Sequence, residues 1–174
     1  MLVEAKAEGI KLLILDVDGV LTTGVIYYLS EGVDMRGFHI QDGLGIQLLQ
    51  KTGVTVAVIS GKKSDAVARR LAELDIKHAY LGHEDKIPAF EELKSTLELQ
   101  NDQIAYMGDD LPDLPLLRRA GLAITVPQAP DIIQQHADFI TKNKGGKGAV
   151  REACEFIMKS KNQYQAVIQS YLTK

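Results

Sequence analysis

Two aspartates one residue apart close an apolar run in "KLLILDVDGVLTTG", residues 11–24. A second acidic group, Asp109, Asp110 and Asp113, follows another apolar run in "QIAYMGDDLPD". Between them, Ser60 and Gly61 end "VTVAVISG", and Lys86 follows "AYLG" at the head of a segment with helical spacing. Carboxylates gathered in a partly desolvated crevice repel one another strongly, and a bound cation is the usual remedy. Oxygen ligands suit Mg²⁺, which keeps several waters and is commonly held by one or two carboxylates plus a substrate phosphate. Zinc does not fit, because His39, His78, His83 and His136 show no ligand spacing. Taken singly, the Asp-Gly pair is a turn cap and Lys86 a solvated helix residue. Acidic, hydroxyl and ammonium groups arriving together are better read as a site.

Those groups need a frame that brings them to one place. Short apolar runs alternate with longer segments of helical spacing from "LLILDVD" to "AVREACEFIMKS". That alternation predicts βαβ units, hence an α/β doubly wound parallel sheet with helices on both faces. In such sheets ligands bind outside the carboxyl ends of the strands, where these polar residues fall. If the extended geometry continues through Val17, Asp16 and Asp18 point the same way. Gly53 and Gly121 each close a periodic segment, as C-terminal helix caps do. One stretch breaks the pattern: "GVIYYLSEGVDMRGFHIQ", residues 24–41, reads as a β-hairpin inserted after the first strand, with a Ser-Glu-Gly turn. Its residues Val25, Ile26, Tyr27, Tyr28, Leu29 and Phe38 are expected to be exposed and apolar.

Composition excludes several classes of partner. The chain has 174 residues and a net charge of −3, which fits one domain, residues 1–174, without the basic footprint of a nucleic-acid binder. Neither a signal peptide nor an apolar run long enough for a membrane span is present, so a soluble cytoplasmic protein is expected. The single cysteine, Cys154, allows no internal disulfide and packs as a small hydrophobe in a helical pattern.

With these residues in view, "DVDGVLT", "VISG", the lysine of "HEDK" and "GDDLPD" resemble, in order, the four motifs of the haloacid dehalogenase superfamily of phosphohydrolases. The hairpin, "DGLGIQLL", "GDDLPDLPLLRRAGL" and "GGKGAVRE" narrow the resemblance to a capless subfamily, the 3-deoxy-D-manno-octulosonate 8-phosphate phosphatases of lipopolysaccharide precursor synthesis. The resemblance implies Asp16 as the nucleophile that forms an aspartyl phosphate. It implies Asp18 as the acid for the leaving alkoxide and then the base for water. Ser60, Gly61, Lys86 and Thr22 would hold the phosphoryl group, with Gly24 offering a backbone amide. Asp16, Asp109 and the backbone carbonyl of Asp18 would bind Mg²⁺. Asp110 and Asp113 would support the metal or orient Lys86. Phosphate with ionised Asp16 and Asp109 brings about −4 against +3 from Mg²⁺ and Lys86, so a protonated Asp18 nearly balances the site.

Further expectations concern substrate and assembly. A capless site is open to water, and the resemblance implies a homotetramer in which the hairpin and a neighbouring subunit close it. The alternative is a hairpin folded onto its own domain. Lys142, Lys144, Lys147 and Arg151 surround flexible glycines near a helix start, either as a basic tail over the site or as a solvated loop. Thr23 stands where the subfamily motif has Asp, which keeps phosphatases of nine-carbon sugar acid 9-phosphates as the alternative substrate class. From other classes, a phosphoaspartate receiver would not keep an acid at Asp18, and a silent assembly protein would not keep every required side chain.

Overall fold

The computed structural model describes residues 2–32 and 34–173; Met1, Val33 and Lys174, which fall inside the expected domain and hairpin, lie outside the described residues. Six strands, β1 (Leu12–Leu15), β4 (Thr55–Ser60), β5 (His78–Leu81), β6 (Ile104–Met107), β7 (Leu122–Thr125) and β8 (Phe139–Ile140), form one sheet in the order β5-β4-β1-β6-β7-β8. All neighbours in it are parallel. The central strand β1 is buried at all four positions, as a strand covered on both faces must be. It lies between β4 and β6, so the ends that carry Asp16, Ser60 and the Asp109 group are adjacent.

The helices follow the alternation. Helices α2 (Ile40–Lys51) and α7 (Ala149–Ser160) pack against each other and, with α1 (Val3–Glu8), form one layer. Helices α4 (Ile87–Thr96) and α5 (Leu114–Leu117) meet in another, and α3 (Asp65–Glu73) packs on β5. The short α6 (Asp131–Gln134) precedes β8, and α8 (Tyr164–Leu172) ends the described chain. Cys154 is fully buried on α7, and burial pushes its thiol well above the ordinary range. Asp42, on α2, reaches the start of α7: its carboxylate accepts from the amides of Gly148, 3.3 Å, and Arg151, 2.8 Å. A helix whose first residue follows a glycine thereby gains a cap from a different element.

The inserted hairpin is present, with β2 (Tyr27–Tyr28) antiparallel to β3 (Asp34–Met35) around a 3₁₀ turn at Ser30–Gly32. Val25, Tyr27, Tyr28 and Leu29 are exposed, whereas Ile26 is half-buried and Phe38 packs against the core. The two expected glycine caps fare differently. Gly53 does take the left-handed conformation of a cap, at φ +90°. Gly121 does not; a Cβ there would lie 2.4 Å from the backbone of Asp102, so close packing requires the glycine.

Candidate active site

Strand β1 stops at Leu15, and the extended geometry does not run on through Val17. Residues Val17–Leu21 form a wide turn closed by the Thr22 amide donating to the Val17 carbonyl, 3.1 Å. Asp16 and Asp18 still face one cleft, because the turn rather than strand alternation redirects the second acid. Gly19 makes the turn possible at φ +91°, and a Cβ on it would fall 1.9 Å from Asp109 Oδ2. The carboxylate of Asp109 therefore sits directly on the turn that carries the two aspartates.

The cleft has a volume of about 330 Å³ and is lined by Asp16, Asp18, Gly24, Ser60, Gly61, Lys62, Lys86, Asp109, Asp110, Pro112 and Asp113. Every residue named from the motifs is there except Thr22. The hydroxyl of Thr22 accepts from the amides of Gly19 and Gly24 and donates to the Val17 carbonyl, so it serves the turn. None of Lys142, Lys144, Lys147 and Arg151 lines the cleft. The three lysines are exposed and Arg151 pairs with Glu155 at 2.7 Å. The glycines of that loop do the packing instead. Gly146 donates to the Val20 carbonyl at 2.9 Å, and a Cβ on Gly145 would lie 1.7 Å from the Gly19 carbonyl oxygen. The same carbonyl accepts from Gln128 Nε2, 3.1 Å.

Lys86 is 4% exposed, far from a solvated helix residue, and its ammonium donates to Asp16 Oδ1 and Asp113 Oδ1, each at 2.6 Å. Burial alone would lower its pKa, but the two carboxylates outweigh that and hold it above the ordinary lysine value. Asp113 Oδ2 accepts from the amides of Asp109, 2.9 Å, and Asp110, 3.2 Å. The hydroxyl of Tyr106, fully buried within β6, donates to Asp113 Oδ1. The extra negative charge of Asp113, left out of a count based on Asp16 and Asp109, is thus absorbed by a lysine, two amides and a phenol. Asp110 caps the turn that follows, accepting from the Leu111 amide at 2.8 Å. Ser60 is buried at the end of β4, and its Oγ accepts from the Lys62 amide, 3.4 Å.

One oxygen each from Asp16, Asp109 and Asp113 lies within 4.8 Å of the others. Since Asp113 already accepts at both oxygens, Asp16 and Asp109 are the carboxylates available to a cation. Their protonation fits a cation site. Burial first, then the charge of Asp113, raises Asp16 despite the opposing pull of Lys86. Burial, followed by Asp113 and Asp110, pushes Asp109 up to about 7. A divalent ion would relieve this crowding, and the all-oxygen donor set suits Mg²⁺.

Three contributors have little sequence signal: Arg36, whose Nε donates to Asp18 Oδ1 at 2.8 Å, Tyr106 and Gln128. A hydroxyl in the otherwise apolar "IAYM" is the only local hint for Tyr106.

A parallel sheet whose central strand ends in paired aspartates, with a buried lysine and a carboxylate cluster beside them, defines a haloacid dehalogenase-like hydrolase; the model of that family matches residues 82–153. Among curated proteins, the 3-deoxy-D-manno-octulosonate 8-phosphate phosphatase of Salmonella typhi is 42% identical over 156 residues, 90% of this chain and 83% of that protein. The enzyme of the same name from Yersinia pestis is 39% identical over 160 residues, 92% of this chain and 86% of that one. The solved structure of the Moraxella catarrhalis 3-deoxy-D-manno-octulosonate 8-phosphate phosphatase, in complex with magnesium, phosphate and KDO, superposes with a TM-score of 0.95 at 44% identity, covering 97% of each chain. The chain belongs to the 3-deoxy-D-manno-octulosonate 8-phosphate phosphatase family within these hydrolases.

Proposed function

We propose that the protein hydrolyses 3-deoxy-D-manno-octulosonate 8-phosphate to the free sugar acid and phosphate, in a Mg²⁺-dependent reaction of lipopolysaccharide precursor synthesis. The observation that carries this reading is Lys86, buried and bonded to both Asp16 and Asp113 at the mouth of the sheet, in a chain so similar to these phosphatases.

In the first step an oxygen of Asp16 attacks phosphorus. The bond from phosphorus to the sugar oxygen breaks, its electron pair stays on that oxygen, and Asp18 supplies the proton. In the second step water attacks the aspartyl phosphate, Asp18 takes the water proton, and the bond from phosphorus to Asp16 breaks to release phosphate. Lys86 binds the phosphoryl oxygens and holds Asp16 in place, and Asp113, itself fixed by the amides of Asp109 and Asp110, holds Lys86. Ser60 and the amides around Gly61 and Gly24 complete the phosphoryl cradle. Mg²⁺, held by Asp16, Asp109 and the Asp18 carbonyl, supplies charge neutralisation at the phosphoryl oxygens.

The exposed hairpin, with Tyr28 76% accessible, supports a homotetramer in which a neighbouring subunit covers the open cleft. Placement in the cytoplasm belongs to the same reading; among the described residues no helix is long and apolar enough to cross a membrane. The test is phosphate release by purified protein from a panel of sugar phosphates, with and without EDTA. The eight-carbon acid phosphate should be the preferred substrate and EDTA should abolish turnover. Preference for a nine-carbon 9-phosphate would transfer the assignment to the substrate class that Thr23 leaves open.

A further inference from the structure

Among the described residues, one buried side chain of the hairpin bonds to the catalytic turn. Arg36 follows β3, and its side chain is only 2% exposed. Its Nε donates to Asp18 Oδ1 at 2.8 Å, and its guanidinium also pairs with Asp34 of β3. A two-stranded hairpin with two residue pairs is marginal by itself, so a contact of this kind fixes where it sits. A guanidinium placed between two carboxylates is well fixed, because its planar fork loses little freedom on bonding.

The bond occupies Oδ1 of Asp18, which leaves Oδ2 as the oxygen to carry a proton into the cleft that Asp18 lines. Nothing in the turn itself performs this service. Thr22 ties Gly19, Gly24 and Val17 together and makes no bond to the Asp18 carboxyl. We propose that Arg36 is a positioning residue for Asp18: the inserted hairpin sets the orientation of the acid and base through this one bond. The inference rests on the reading of Asp18 as the proton carrier.

The test uses leaving groups. A sugar alkoxide needs a proton as it departs, whereas p-nitrophenolate leaves without one, so loss of a well-placed acid harms the first substrate far more. Single-turnover cleavage of 3-deoxy-D-manno-octulosonate 8-phosphate and of p-nitrophenyl phosphate is measured for the wild type, Asp18→Asn, Arg36→Ala, Arg36→Lys and Asp18→Asn/Arg36→Ala. Arg36→Ala should slow the sugar phosphate by about 10- to 100-fold, with a much smaller effect on p-nitrophenyl phosphate and on KM. Arg36→Lys, which keeps the charge without the planar fork, should recover only part of the loss, and in the Asp18→Asn background Arg36→Ala should add nothing further. Thermal melting checks each variant, and if Arg36→Ala does not fold, a substrate-selective loss in Arg36→Lys carries the same conclusion. Equal losses on both substrates, or a full additional loss in the double variant, would overturn the role of Arg36. If Asp18→Asn itself shows no selectivity between the substrates, the reading of Asp18 falls and the inference with it.

Discussion

Asp16 and Asp109 are crowded by burial and by neighbouring carboxylates, and this has a definite pH signature. Asp109 is pushed up to about 7 by burial and by Asp113 and Asp110, and Asp16 is raised by burial and Asp113. A folded-state pKa above the unfolded value means that these groups stabilise the metal-free fold fully only below their unfolded pKa, near 3.8. Their contribution is lost as pH rises through about 7 for Asp109. Melting temperature in EDTA should therefore fall between pH 5 and pH 8 more steeply than in Mg²⁺, and Mg²⁺ affinity measured calorimetrically should rise over the same range with release of protons. An affinity that is flat across this range would remove both carboxylates from the cation site. At this scale the sequence showed what local context can show. Asp16, Ser60 and Asp109 each follow an apolar run, so chemistry stands out against a buried background, whereas Lys86 follows Gly-His-Glu-Asp at a helix start and stands out only in company with the others. Tyr106 lies within such a run, where a tyrosine is ordinary, and Arg36 meets Asp18 only through the path of an inserted hairpin.

Among the elements, α2 and α7 show how a distant segment supports the turn. Asp42 on α2 caps the start of α7, and the glycine loop just before that helix packs on the Gly19 carbonyl and bonds to Val20. Asp42→Ala should destabilise the protein by about 2 kcal/mol, since it leaves two amides without their acceptor. For a chain of this length that is a fall of about 4–8 °C in thermal melting, with Asp42→Asn recovering part of it. No change in melting temperature would mean that water replaces the cap. The βα alternation was readable because periodicity and strand burial reinforce each other. Helices α1 and α8 went unread for different reasons. The first is a short segment that buries only Ala7. Helix α8 has apolar residues at helical spacing, Tyr164, Val167, Ile168, Tyr171 and Leu172, but lies after the last strand, outside the βα alternation, and buries none of them fully. The turn after β1 was missed for a different reason, since a strand that ends at Leu15 and one that continues through Val17 have the same residue types.

For the whole molecule, the open cleft and the hairpin are one question. Tyr27, Tyr28 and Leu29 present an apolar surface of the kind that a subunit contact covers. The proposed homotetramer predicts that Tyr28→Arg gives smaller species than the wild type in sedimentation velocity and lowers kcat/KM together with them, and a monomeric wild type would overturn it. An unchanged assembly would assign the contact to another face. The composition carries no information on subunit number, which depends on surface complementarity rather than on residue content. The cleft also unites residues from position 16 to position 113, delivered by β1, β4, the head of α4 and the end of β6. No part of that cation site exists until strands far apart in sequence have paired. A ligand of this kind recognises the finished chain alone and acts as a brake on its exit. In urea, Mg²⁺ should slow unfolding while leaving the refolding rate nearly unchanged, as stopped-flow chevrons would show.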